Sequence, residues 1–259
     1  METILQVRNL RKYFPIKRSW LGGEPLFVHA LEKIDFDLYR GETLVVVGES
    51  GSGKSTLGRT IIGLEQPTRG EVMFQGRDVA SLRGKELKQF REHIQMVFQD
   101  PYASLNPRLS VGHAIAEPLR AHGRARTKEE MAKAAEDLLV RVGLQPKMAS
   151  QYPHNFSGGQ RQRIGIARAL SLRPKILICD EAVSALDVSV QSQILNLFNR
   201  LKKEFNLTYI FIAHDLSVVR YISDRILVMY LGTVMEIAPK AELFERSEEH
   251  TSELQSPNT

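Results

Sequence analysis

The stretch Gly48-Glu49-Ser50-Gly51-Ser52-Gly53-Lys54-Ser55-Thr56 sets glycines, a lysine and hydroxyls in the pattern GxxxxGK[ST]. The chemistry this allows is anion binding. Glycines let the backbone curl until successive N–H groups point into one nest, and a helix starting there adds the positive end of its dipole. In such a nest Lys54 reaches the β and γ phosphates of a nucleotide, and the Ser55 hydroxyl ligates Mg²⁺. A glycine-rich turn that merely joined a strand to a helix would need neither residue in that register. The flanks agree, because Thr43 to Val47 is a β-branched run that reads as a buried strand and Thr56 to Ile62 reads as a helix.

A second group of residues supplies carboxylates. The apolar run Ile176 to Cys179 ends in Asp180-Glu181. At the carboxyl end of a strand beside a phosphate loop, Asp180 can hold Mg²⁺ through water while Glu181 polarises the attacking water as general base. A third group, Phe156-Ser157-Gly158-Gly159-Gln160, opens the apolar-periodic run Arg161 to Leu170. It offers a hydroxyl, free N–H groups and a helix dipole but no lysine, which makes a second anion site; Ser157 alone would also serve as an ordinary N-cap.

The elements that must position these groups alternate. Strand patterns are read at Ile4 to Leu10, closing through Asn9 to Phe14, then at Val28 to Tyr39, Glu71 to Phe74, Ile94 to Phe98, Ile176 to Asp180, Thr208 to Ile212 and Arg225 to Met229. Helical patterns are read at Leu82 to Phe90, Val188 to Phe205 and Leu216 to Ile222. From Val111 to Val142 the pattern is helical throughout, and Met131, Ala134, Ala135, Leu138, Leu139 and Val142 form one packing stripe. Near-continuous apolar strands alternating with helices predict an α/β fold with a mainly parallel sheet covered on both faces, interrupted by a helical insert. Pro15 to Pro25, with the single Trp20, reads as a surface loop.

Composition sets bounds. With 259 residues, 42% of them hydrophobic, the chain can bury a real core. It lacks both an apolar stretch of roughly 18 residues and a signal peptide, so a cytoplasmic protein is expected. One cysteine, Cys179, excludes an internal disulfide and lies within an apolar strand, where an inert thiol is expected. The net charge of +5 admits nucleic acid, lipid headgroups or nucleotide phosphate as partners without choosing among them.

Phosphate loop, the Ser157 to Gln160 segment and the acidic strand, in this order, resemble the ATP-binding cassette (ABC) family over roughly Ile4 to Arg246. The resemblance implies a P-loop NTPase (RecA-like) core over residues 1–98 and 168–246, with an antiparallel β edge and an inserted helical subdomain over 99–167. It implies ATP and Mg²⁺ as cofactors, with Gly48 to Thr56 and Ser157 to Gln160 as nucleotide-binding segments. Gln99 matches the glutamine that senses Mg²⁺ and contacts the transmembrane partner. Asp187, in Ser184-Ala185-Leu186-Asp187, matches the loop that couples two sites across a dimer, and His214 matches the switch histidine that contacts the γ phosphate. Phe14 resembles the aromatic that stacks on adenine, with Tyr13 as the competing choice.

In this family ATP held by one copy is covered by Ser157, Gly158 and Gly159 of another, so the implied working unit is a dimer with a second ABC subunit, different or identical. Gln99 to Arg108, Tyr152 to Phe156 and Ala185 to Gln191 are similar to the ATP-binding subunits of bacterial oligopeptide and dipeptide importers; nickel, glutathione and some sugar importers share these segments. The implied partners are therefore two transmembrane permease subunits and, indirectly, a substrate-binding protein, at the cytoplasmic face of the bacterial inner membrane. Nucleic acid is not expected, since family members acting on DNA or ribosomes carry a long coiled coil or two cassettes in one chain. Ser247 to Thr259 is polar and aperiodic, which predicts disorder, and it resembles translated adapter sequence rather than a native end.

Overall fold

Alternating residues of the parallel strands have to be buried on opposite faces, and this requirement shapes the molecule. The computed structural model describes residues 2–16, 26–100, 102 and 104–245. Most of the expected Pro15–Pro25 loop and all of the 247–259 tail lie outside the described residues.

Two sheets are present among the described residues. In the first, β1 (Thr3–Pro15), β2 (Phe27–Tyr39), β4 (Arg69–Phe74) and β5 (Arg77–Asp78) pair antiparallel in the order β2-β1-β4-β5. In the second, β3 (Thr43–Gly48), β6 (Ile94–Val97), β7 (Ile176–Asp180), β8 (Thr208–Ile212), β9 (Arg225–Tyr230) and β10 (Thr233–Pro239) take the order β10-β9-β3-β8-β7-β6. Every pairing in that sheet is parallel except β9 with β10.

The two faces of the parallel sheet carry separate cores. Val45, Leu177, Cys179, Tyr209, Phe211 and Ile226 face one cluster, which includes Ile164 and Ile166 of α5 (Gly158–Leu170) and Ile194 and Phe198 of α6 (Val188–Phe205). Their strand neighbours Leu44, Val46, Ile176, Ile178, Ile210, Ile212 and Leu227 face the other, with Leu57 and Ile61 of α1 (Lys54–Ile61) and the inner face of the antiparallel sheet. Phe198 packs edge-on against Tyr209 and Phe211, at centroid distances of 5.7 and 5.5 Å, which fixes α6 to β8. Cys179 is fully buried and desolvation pushes its thiol well above the usual range, as an inert position requires.

Among the described residues three α-helices separate β6 from β7: α3 (Val111–Ala121), α4 (Lys128–Arg141) and α5. The continuous helix pattern from Val111 to Val142 is in fact two helices, split where Gly123 takes φ 68° and Thr127 begins α4 with a reciprocal cap to Glu130. On the predicted stripe Ala135, Leu138, Leu139 and Val142 are buried. The first strand runs through Phe14 as expected, but its register is broken. Asn9 takes φ 45°, a bulge shifts the register between Val7 and Leu10, and pairing then continues to Pro15. The remaining described helices, α2 (Gly84–His93) and α7 (Leu216–Ile222), precede β6 and β9.

Candidate functional site

At the end of β3 the backbone passes so close to its neighbours that side chains are excluded. A Cβ on Gly48 would lie 2.2 Å from the Met229 carbonyl oxygen, and one on Gly53 would lie 2.3 Å from that of Ala30. Gly53 also has φ 98°, in the left-handed region, where it forms the N-cap of α1 without any side-chain cap. The first N–H groups of α1 thus have no capping side chain and are available to an anion. Lys54 is 5% exposed and folds back over the loop, its Nζ donating to Gly48 O at 2.8 Å and Glu49 O at 2.7 Å, with Ser52 Oγ at 3.3 Å. Burial lowers its pKa, opposed by the nearby charges of Glu181 and Asp180. Glu49 and Ser50 are exposed at the rim, and the carbonyl of Thr56 accepts from Thr60 Oγ1 inside α1.

Strand β8 lies between β3 and β7, and α1 contacts both β7 and β8. Its first turn therefore reaches the end of β7, where the Ser55 hydroxyl donates to Asp180 Oδ1 at 2.8 Å. Asp180 is 2% exposed. Desolvation raises its pKa, opposed first by the Ser55 hydrogen bond and then by the positive charge of Arg59. Arg59, one helical turn beyond Ser55, was not among the residues singled out by the sequence; the i, i+4 spacing is the signal that would have found it.

The next residue, Glu181, has φ 46°, an uncommon conformation for a residue with a side chain, and its N–H donates to Ile212 O at 3.1 Å. This turn brings its carboxylate between two other elements. Gln99 Nε2, just past β6, donates to Glu181 Oε2 at 2.8 Å, and His214 Nδ1, just past β8, lies 3.7 Å from the same oxygen. Lys54, Ser55, Gln99, Asp180, Glu181 and His214 thus converge at the carboxyl ends of β3, β6, β7 and β8, where ligands bind in open α/β sheets. Ser55, Asp180 and Gln99 offer only oxygen donors toward a metal, a set that suits a hard cation such as Mg²⁺. The arrangement provides an anion cradle and two adjacent carboxylates, one bonded to Ser55 and one held by Gln99.

The other predicted residues form two further groups. Ser157 caps α5, its Oγ accepting from Gln160 N at 3.3 Å, while Gln160 Oε1 accepts from Ser157 N at 2.9 Å. A Cβ on Gly159 would come 2.5 Å from Val190 Cγ1, so the start of α5 sits against the first turn of α6, whose N-cap is Asp187. Among the described residues no hydrogen bond or ion pair joins Ser157 to Gln160 with the phosphate loop. Phe14 and Tyr13 point to opposite faces of β1. The Tyr13 ring stacks on His29 at 4.1 Å and its hydroxyl donates to Glu32, whereas the Phe14 ring carries Lys12 Nζ at 4.6 Å from its centroid.

The ABC transporter family model matches residues 31–184. The chain is similar to the oligopeptide transport ATP-binding protein AppF of Bacillus subtilis, with 55% identity over 94% of this chain and 74% of that protein. It is 53% identical to the glutathione import ATP-binding protein GsiA of Escherichia coli K12 over 94% of this chain, but spans only 39% of that protein's length. Among solved structures it is similar to a dimeric post-hydrolysis state of the ATP-binding cassette MJ0796 bound to ADP and Pi, with a TM-score of 0.80, 32% identity, and 91% and 98% of the two chains covered.

The close approach at Gly53 generates a first prediction. Gly53→Ala should lower the affinity for ATP at least tenfold, measured by calorimetric titration, because both the left-handed conformation and the Ala30 carbonyl oppose a Cβ. Wild-type affinity in that variant would mean that the loop can relax without loss of the cradle.

Proposed function

Because the chain belongs to the ABC transporter family, we propose that it is the ATP-binding and ATP-hydrolysing subunit that powers import of oligopeptides or dipeptides through a membrane transporter. The likeness to AppF supports the peptide cargo; the likeness to GsiA supports glutathione as the alternative. Nickel or another solute would use the same motor.

The observation that carries the hydrolytic reading is Glu181 held beside Gln99 and His214, one residue from the Asp180 carboxylate bonded to Ser55. In this reading the amides of Gly48 to Thr56 and the Lys54 ammonium bind the β and γ phosphates, and Ser55, Gln99 and Asp180 hold Mg²⁺, which would withdraw charge from the phosphate oxygens. Glu181 accepts the proton of the attacking water, Gln99 orients that carboxylate, and His214 is the contact to the γ phosphate. Phe14 is the platform for adenine; the Tyr13 ring is stacked on His29 and its hydroxyl is tied to Glu32. Ser157, Gly158, Gly159, Gln160 and Asp187 stand apart from the cradle in a single chain and serve the nucleotide of a second cassette, different or identical.

The region 99–167 then acts as a helical subdomain between motor and permeases. Two permease subunits, with a substrate-binding protein outside, would hold this chain at the inner face of the membrane. No helix among the described residues is long and apolar enough to cross a membrane itself.

Glu181→Gln should retain ATP binding and lose steady-state turnover by about 10²–10⁴-fold, the usual weight of a general base, and should accumulate as an ATP-bound dimer in sedimentation. Normal turnover would remove Glu181 from its role. The transport reading has its own test: the tagged chain, purified from native membranes in gentle detergent, should bring two permease subunits and a second cassette. Recovery alone or with nucleic acid would leave an ATPase and remove the importer.

A further inference from the structure

We propose that Lys12 is a positioning residue for nucleotide binding: it locks the ring of Phe14 as a base platform and ties that platform to the helix that carries the phosphate cradle. The inference rests on the reading of Phe14 as the adenine-stacking residue and adds to it the part of the molecule that sets the ring.

Lys12 and Phe14 are two residues apart on β1 and so project from the same face of the strand. The Lys12 side chain is only 12% exposed, unusual for a lysine, and all of its polar reach is directed at one loop. Its Nζ donates to the Gln66 carbonyl at 2.9 Å, pairs with Glu65 Oε2 at 3.0 Å, and lies 4.6 Å from the Phe14 ring centroid. A cation at this distance is attracted to the ring face, and a carbonyl and a carboxylate hold the cation. One face of Phe14 is therefore covered and set, which leaves the other for a flat partner.

The loop that holds Lys12 follows α1, the helix whose first turn contains Lys54 and Ser55. Two further bonds fasten the same loop to β1: Thr68 N donates to Arg11 O at 2.8 Å, and Tyr13 N donates to Thr68 Oγ1 at 2.9 Å. The far end of α1 is thus anchored to the strand that carries Phe14. The spacing between base platform and phosphate cradle is set through α1, with Lys12 as the side-chain contact that touches both the loop and the ring.

The test compares ATP with inorganic tripolyphosphate, which has the phosphates but no base, by calorimetric titration of the full chain and its variants. Lys12→Met keeps the apolar stem and removes the ammonium; it should weaken ATP binding about fivefold and leave tripolyphosphate within twofold of wild type. Lys12→Arg should restore ATP affinity, and Lys12→Met should add nothing once Phe14 is replaced by alanine. Equal weakening of both ligands by Lys12→Met would mark a merely structural lysine and overturn the proposal, as would unchanged ATP affinity in that variant while Phe14→Ala weakens it. If Phe14→Ala leaves ATP affinity unchanged, the base-platform reading itself falls, and the role of Lys12 with it.

Discussion

The hydrogen bond from Ser55 to Asp180 joins the two halves of the candidate site. One partner stands in the first turn of α1 and the other ends β7, two strands away from the strand that leads into α1. Its existence demands that α1 cross the sheet closely, and Gly58 provides for that approach: a Cβ there would already lie 3.3 Å from Ile178 and from Ile212. A direct hydrogen bond and close helix-to-sheet packing therefore set the spacing between α1 and the acidic end of β7.

Electrostatic conflict is concentrated in this unit. Lys54 and Asp180 are both almost fully buried, and desolvation shifts each toward its neutral form, lysine downward and aspartate upward. Each offsets part of the other's penalty; Arg59 eases that of Asp180 and Glu181 that of Lys54, while the like charge of Glu181 adds to the penalty at Asp180. Isolated buried charges are rarely stable without such partners, and their presence here in a strained turn, with Glu181 at φ 46°, is the pattern of a site kept ready for charged ligands.

Much of this was legible in the sequence, because each feature is written in a local pattern. The phosphate loop, the strand ending in Asp180-Glu181 and the segment Ser157 to Gln160 each occupy consecutive residues, and α6, α7, β7 and β8 have the bounds that their periodicity predicts. What local pattern could not reveal is pairing across the chain. The bulge in β1 at Asn9 is one such feature, with the Asn9 N–H donating to Asp35 Oδ1 on the partner strand. Strand β10 has a mixed burial pattern and gains its place from pairing with β9. Gln99, Glu181 and His214 meet only because β6, β7 and β8 are sheet neighbours, an order that no sequence spacing records; His214 without that order is an ordinary polar residue after a strand. The break between α3 and α4, by contrast, is written locally: Arg120 to Glu130 holds no large apolar residue, and Gly123 and the Thr127–Glu130 cap stand within it, signals that the apolar stripes on either side outweigh when the stretch is read as one helix.

On the proposed reading the bonded pair Ser55 and Asp180 would make Mg²⁺ part of the nucleotide cradle. The most direct measurement is the affinity for ATP, with and without Mg²⁺, of the wild-type chain and of Asp180→Asn, which keeps an oxygen for the Ser55 hydroxyl but removes the charge. On that reading Mg²⁺ strengthens ATP binding to the wild type and this gain is largely lost in Asp180→Asn, with metal-free binding retained. An undiminished Mg²⁺ dependence in the variant would contradict it.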